Sequence, residues 1–244
     1  MLRSLNGLLG YNLEALDGTI GSVSDFYFDD TDWALRYLVV DTGTFLPARK
    51  VLVVPAALGR PDWATRLFPV NHTKDEIKKS PDIALDQPVS RQVESELHKY
   101  YHWAPYWTPG FPSPSMPAPV PPKRRAEVPE EGRFDPHLRS LKEVTGYHVA
   151  CTDGDIGHVD DFIAEITGWY LKMFVVDTRN WLPGKHVLLA NEWIERVAWD
   201  EKKVHVTLPT ETVKSAPPFD PTEPVNEEFE ARLYDYYGRP SARV

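Results

Sequence analysis

Short apolar and aromatic runs, broken by turn residues, fill the first 70 positions of the chain. "LLGYNLEALDGTIGSVSDFYFDD" (8–30) reads as two strands joined at Asp17-Gly18, a dipeptide that supplies the positive φ angles of a tight hairpin. "ALRYLVVDT" (34–42), "KVLVVP" (50–55) and "TRLFPV" (65–70) are further strand candidates, rich in Val, Leu and Tyr. Gly21 lies inside a strand, where glycine marks a bulge or a bend in a curled sheet. A helical period then takes over. "TKDEIKKS" (73–80) carries a capping box at Thr73 and Glu76, and Val93, Leu97, Tyr100 and Tyr101 make one apolar stripe of a later helix, with Ser90 as its N-cap.

The whole pattern recurs. A shift of 136 places Leu2 on Leu138, Asp17-Gly18 on Asp153-Gly154, Gly21 on Gly157, Trp33 on Trp169 and "VVDT" (39–42) on the same four letters at 175–178. It also brings Leu46-Pro47 onto Leu182-Pro183, and about half of some 50 positions agree without a gap, far beyond chance likeness. "KKVHVTL" (202–208) is the counterpart of the "TRLFPV" strand. Phe229, Leu233, Tyr236 and Tyr237 repeat the end-helix stripe, which starts at Asn226 and stops at Gly238. Each end helix is expected to dock on its own unit.

These features predict a mainly β protein of two small antiparallel barrels, each followed by short helices. The predicted units are residues 1–103 and 137–244. Residues 104–136 join them, with a Pro density that suits an extended, semi-rigid spacer.

The residues that carry the repeat also carry a resemblance. G-Y, D-G-x-I-G-x-V-x-D-F, W-x-L and V-V-D-T, at 2–80 and again at 138–216, resemble the PRC-barrel family. That family includes the cytoplasmic domain of the photosynthetic reaction-centre H subunit and the C-terminal domain of a ribosome maturation factor. The resemblance implies a protein-binding barrel and not an enzyme. Its most concrete form is a peripheral, H-subunit-like component or assembly factor of a reaction-centre complex, with reaction-centre or antenna proteins as partners. A ribosome-associated or RNA-processing factor is the alternative, followed by a stand-alone stress-related barrel.

Composition narrows the classes further. The formal net charge of −9 disfavours general nucleic-acid binding, which relies on Lys and Arg neutralising phosphates. The basic cluster Lys123-Arg124-Arg125 reads as a solubilising linker patch. One cysteine, Cys151, makes no internal disulfide, and no stretch reaches the length of a membrane span. A cytoplasmic protein is expected, at the cytoplasmic face of the inner membrane only through its partners.

Candidate chemistry is sparse. Asp41 and Asp177 end equivalent strands and read either as general acids or as turn-making structural acids. No histidine recurs in sequence beside either one. Glu94, His98 and His102 share a helix face at metal-binding spacing, but the repeat has Glu230, Tyr234 and Gly238 there and no fourth ligand is offered, so a solvated face is expected. His72, His137, His148, His158, His186 and His205 show no ligand spacing, and no phosphate-cradling loop is present, so no metal or cofactor is expected. Tyr100, Tyr101, Trp103, Tyr106 and Trp107 run past the helix into the linker. They read either as partner-interface anchors or as a strap folded back on the first unit.

Overall fold

The computed structural model describes residues 1–43, 49–81, 89, 91–107, 138–178, 185–221, 223 and 225–238. Leu46-Pro47, Leu182-Pro183, Ser90, His137, the basic cluster and the linker from residue 108 lie outside them. The fold is mainly β, with two sheets and few helices.

The chain forms two compact units whose membership differs from the two sequence repeats. One comprises residues 8–140, the other residues 1–7 together with 141–244. In the first, β2 (Asn12–Ala15) and β3 (Gly18–Asp29) form the expected hairpin. They are followed by β4 (Leu35–Asp41), β5 (Lys50–Val53) and β6 (Leu67–Pro69), giving the order β5-β4-β3-β2-β6. β6 runs parallel to β2, and the remaining pairs in this series are antiparallel.

The second unit repeats this plan with β8 (His148–Cys151), β9 (Gly154–Glu165), β10 (Tyr170–Asp177), β11 (His186–Ala190) and β13 (Lys203–Val206), and adds β12 (Ile194–Ala198) at the edge. Its order is β11-β10-β9-β8-β13-β12. In both sheets the pairings among the described residues form an open series.

The membership differs because the first strand of each repeat is exchanged. β1 (Leu2–Ser4) pairs with β9, and β7 (Leu138–Ser140), which leads into the short helix α3 (Leu141–Val144), pairs with β3. The registers correspond: Ser4 opposes Ile163, and Ser140 opposes Tyr27, one repeat length away. The twelve residues of β3 make room for this. Its first residues pair with β2 and its last with β7, while β4 follows the opposite edge.

A buried aspartate holds each exchanged strand. Ser4 donates to Asp161 Oδ2 at 2.5 Å and Ser140 to Asp25 Oδ2 at 2.5 Å, and each aspartate also accepts the next residue's backbone N–H, from Phe162 or Phe26. Asn6 N adds a further bond to Asp161 Oδ1 at 3.0 Å. Burial raises the Asp161 carboxyl above its ordinary range, against these hydrogen bonds, which favour the charged form.

The glycines have a concrete role. A Cβ at Gly21 would lie 2.0 Å from the Asp41 carbonyl oxygen, and one at Gly157 would lie 2.1 Å from that of Asp177. The interior glycine and the "VVD" strand end are therefore one packing unit, which explains why the repeat preserves them together. The hairpin aspartates reach further than their turns. Asp17 Oδ1 accepts from Lys74 N at the start of α1 (Lys74–Lys79), and Asp153 Oδ1 from Thr210 N at the start of α4 (Thr210–Ser215). At α1 the expected Thr73–Glu76 capping box forms as well.

The end helices α2 (Arg91–Tyr101) and α5 (Glu227–Tyr236) dock on their own units in matching ways. Tyr100 Oη donates to Glu76 O and Tyr236 Oη to Thr212 O, each at 2.8 Å. Asn226 caps α5 as expected.

Two outcomes test this arrangement. With a protease site inserted at residues 113–116, the cut halves should stay together on gel filtration, because each supplies a strand to the other's sheet. Halves that separate without denaturant would contradict the exchange. Gly157→Ala, at a φ of 139°, should lower unfolding stability by about 2 kcal/mol or more, read from a denaturant melt.

Candidate functional site

Two constellations distinguish the units, and neither has a counterpart in the other repeat. The first lies where α2 crosses β4. Glu94 and His98 are both buried, and Tyr37, which is fully buried, stands between them. Tyr37 Oη lies 3.0 Å from Glu94 Oε1 and 2.9 Å from His98 Nε2, and Tyr106 Oη donates to the same Glu94 oxygen at 2.6 Å. One proton arrangement satisfies all three contacts: a neutral imidazole donates from Nε2 to Tyr37, which in turn donates to the carboxylate.

Burial pulls His98 down to about 4 and pushes Glu94 above the ordinary carboxylate range. Burial and the Glu94 charge raise both tyrosines. Arginines bracket the cluster. Arg91 pairs with Glu94 at 3.1 Å and covers Trp107, while Arg36 lies 3.8 Å from the centre of the Tyr106 ring and pairs with Asp29 and Asp32.

The aromatic run therefore folds back on the first unit. Trp107 packs edge-on to His98, and Trp103 stacks on Tyr101 with ring centres 4.3 Å apart, beside His72. Tyr100, Tyr101, Trp103, Tyr106 and Trp107 all stay partly exposed. The solvated face expected at Glu94, His98 and His102 is corrected, because the first two are buried, and the three do not converge. His98 turns inward to Tyr37, whereas His102 is exposed and holds a left-handed φ of 56° past the helix end, where the repeat has Gly238.

In the second unit the same positions are Met173 for Tyr37 and Tyr234 for His98. Trp193, at the Ala57 position, fills the space by packing on Tyr234 and Tyr237.

The second constellation surrounds Asp177. Asp41 and Asp177 end equivalent strands, but their surroundings differ. Asp41 is exposed and accepts from Gly43 N at 2.9 Å, the turn-making role. Asp177 is fully buried, with His158 opposite it on β9 and His186 opposite it on β11. The following threonines remain alike: Thr42 Oγ1 donates to Arg49 O and Thr178 Oγ1 to Lys185 O.

Asp177 Oδ2 lies 3.8 Å from His158 Nε2 and 3.9 Å from His186 Nε2, and His186 Nε2 is also 3.4 Å from Asp160 Oδ2. His158, Asp160 and Asp177 are close enough to share one ion. Residues 158, 160, 177 and 186 form no linear motif, and the sheet register corrects the expectation of no neighbouring histidine for Asp177 alone, since Asp41 has Ser22 and Lys50 opposite it. Histidines on strands flanking a strand-end aspartate are the sequence signal that would have found them. Asp17-Gly18 and Asp153-Gly154 serve the turns and helix starts described above. Cys151 is half-buried, and burial pushes its thiol up to about 12, far from a reactive thiolate.

The His98 environment gives a signed pH dependence. Below about pH 6.5 the unfolded chain protonates this residue while the folded chain does not until about 4. Stability relative to a His98→Gln variant should therefore fall as pH drops from 7 to 5, read from urea midpoints of both proteins. The raised Glu94 carboxyl acts in the opposite sense in both proteins, so the comparison isolates the histidine. A difference independent of pH would contradict the buried neutral imidazole.

Set against protein-family models and curated proteins, the chain matches none.

Proposed function

We propose that this chain is a non-enzymatic adaptor that binds protein subunits of a larger assembly, built on two PRC-type barrels. In its most concrete form it is a peripheral, H-subunit-like component or assembly factor of a photosynthetic reaction-centre complex. It would act at the cytoplasmic face of the inner membrane and be held there through its partners. Among the described residues, no helix is long and apolar enough to cross a membrane.

The observation that carries this reading is the aromatic strap on the first unit. Trp103, Tyr106 and Trp107 stay partly exposed there, while the equivalent positions after α5 are Arg239, Ala242 and Arg243. Aromatic surface present on one repeat and replaced on the other supports a role beyond holding the common fold. Large rings with some solvent access are also the residue types that dominate binding energy at interfaces.

Affinity purification of the tagged chain from its native host, read by mass spectrometry, tests the proposal. Reaction-centre or antenna subunits are expected, and recovery of ribosomal proteins in their place would overturn it. Within that experiment Trp103→Ala is the informative change, since the Tyr106 hydroxyl is a structural partner of buried Glu94. Recovery of the partners should fall several-fold while the circular dichroism spectrum stays unchanged.

A further inference from the structure

We infer that the second unit carries a site for one divalent transition-metal ion of the zinc class, formed by His158, Asp160, Asp177 and His186. The donors come from three adjacent strands. Asp177 ends the central strand β10, with one imidazole opposite it on each side. Asp160 sits where the β9 register shifts between the pairs Val175–Asp161 and Val176–Val159, so it is the extra residue of a bulge. Bulges re-aim a side chain, and this one brings Asp160 Oδ2 to 3.4 Å from His186 Nε2.

The spacing suits an ion. Bonds of 2.0–2.1 Å in a tetrahedral shell put neighbouring donors about 3.3 Å apart. His186–Asp160, His158–Asp177 and His186–Asp177 stand 3.4, 3.8 and 3.9 Å apart, and His158, Asp160 and Asp177 lie within 4.8 Å of one another, so side-chain rotation, chiefly of His186, completes the shell. Charge suits it as well. Two carboxylates and two neutral imidazoles balance a dication, and one of those carboxylates is fully buried, where compensation of its charge matters most. Imidazole with carboxylate is the donor class of zinc and its neighbours, whereas calcium and magnesium favour all-oxygen shells.

The other repeat serves as an internal control. At the equivalent positions it has Ser22, Ser24, Asp41 and Lys50, so three of the four donors are replaced, one by a cation. The surrounding frame is retained: Gly21 and Gly157 pack against the equivalent aspartate carbonyls in the same way. The frame therefore forms both with and without these donors. His158 and Asp160 keep about a third of their side-chain surface exposed, which leaves the ion a route of entry.

The test is titration of the tag-free full chain with Zn²⁺ by calorimetry, and with Co²⁺ by visible absorption. One saturable site per chain is expected, with the intense d–d bands of four-coordinate cobalt and a raised thermal midpoint. His158→Ala/His186→Ala should weaken binding by at least about 100-fold. Asp160→Asn, a change at a partly exposed position, should weaken it about tenfold or more without disturbing the fold. Uptake that never saturates, or a single site whose affinity survives both variants, would overturn the assignment.

Discussion

The hydrogen bond from a serine on an exchanged strand to a buried aspartate governs how this chain is partitioned. Asp25 and Asp161 sit in the interior beside Phe26 and Phe162, where an unmatched carboxylate would be costly. Each finds its partner in the opening strand of the other repeat, Ser140 for Asp25 and Ser4 for Asp161. The aspartate of the D-F motif and the serine of "LRS" are thus two halves of one device. Because the halves cross over, neither repeat alone contains all the strands of the unit named after it.

On that shared frame the two interiors have diverged in opposite directions. The first unit buries Tyr37, Glu94 and His98 under an aromatic strap, a polar network closed by two tyrosine hydroxyls. The second has Met173 and Tyr234 at the Tyr37 and His98 positions, packed with Trp193 in an aromatic cluster, and brings His158 and His186 to the end of β10. Fixed backbone constraints made this possible. Gly21 and Gly157 hold the strand ends in place by close backbone approach, so side chains around Asp41 and Asp177 were free to change.

Much of the fold was legible from the offset of 136 and from turn chemistry. The hairpins at Asp17-Gly18 and Asp153-Gly154, the capping box at Thr73 and the stripes of the end helices all depend on residues near one another in sequence. The strand exchange was not legible, because Leu2-Arg3-Ser4 and Leu138-Arg139-Ser140 are the same tripeptide and fit β3 and β9 equally well. The surroundings of Asp177 were hidden for a related reason. Its neighbours lie on separate strands, and only the register, with a bulge at Asp160, aligns them. The aromatic run was recognisable, but its inward hydrogen bonds depend on Tyr37 and Glu94, which lie 57 residues apart and form no linear motif.

The crossed strands also impose an order on biosynthesis. Residues 8–140 are complete once Ser140 has left the ribosome, whereas Leu2–Ser4, made first, pair with a strand that ends at Glu165. During that interval the first unit already holds its exchanged strand, while β9, the partner of Leu2–Ser4, is still incomplete. The second unit therefore cannot be completed until well after the first, although it holds the earlier of the two exchanged strands.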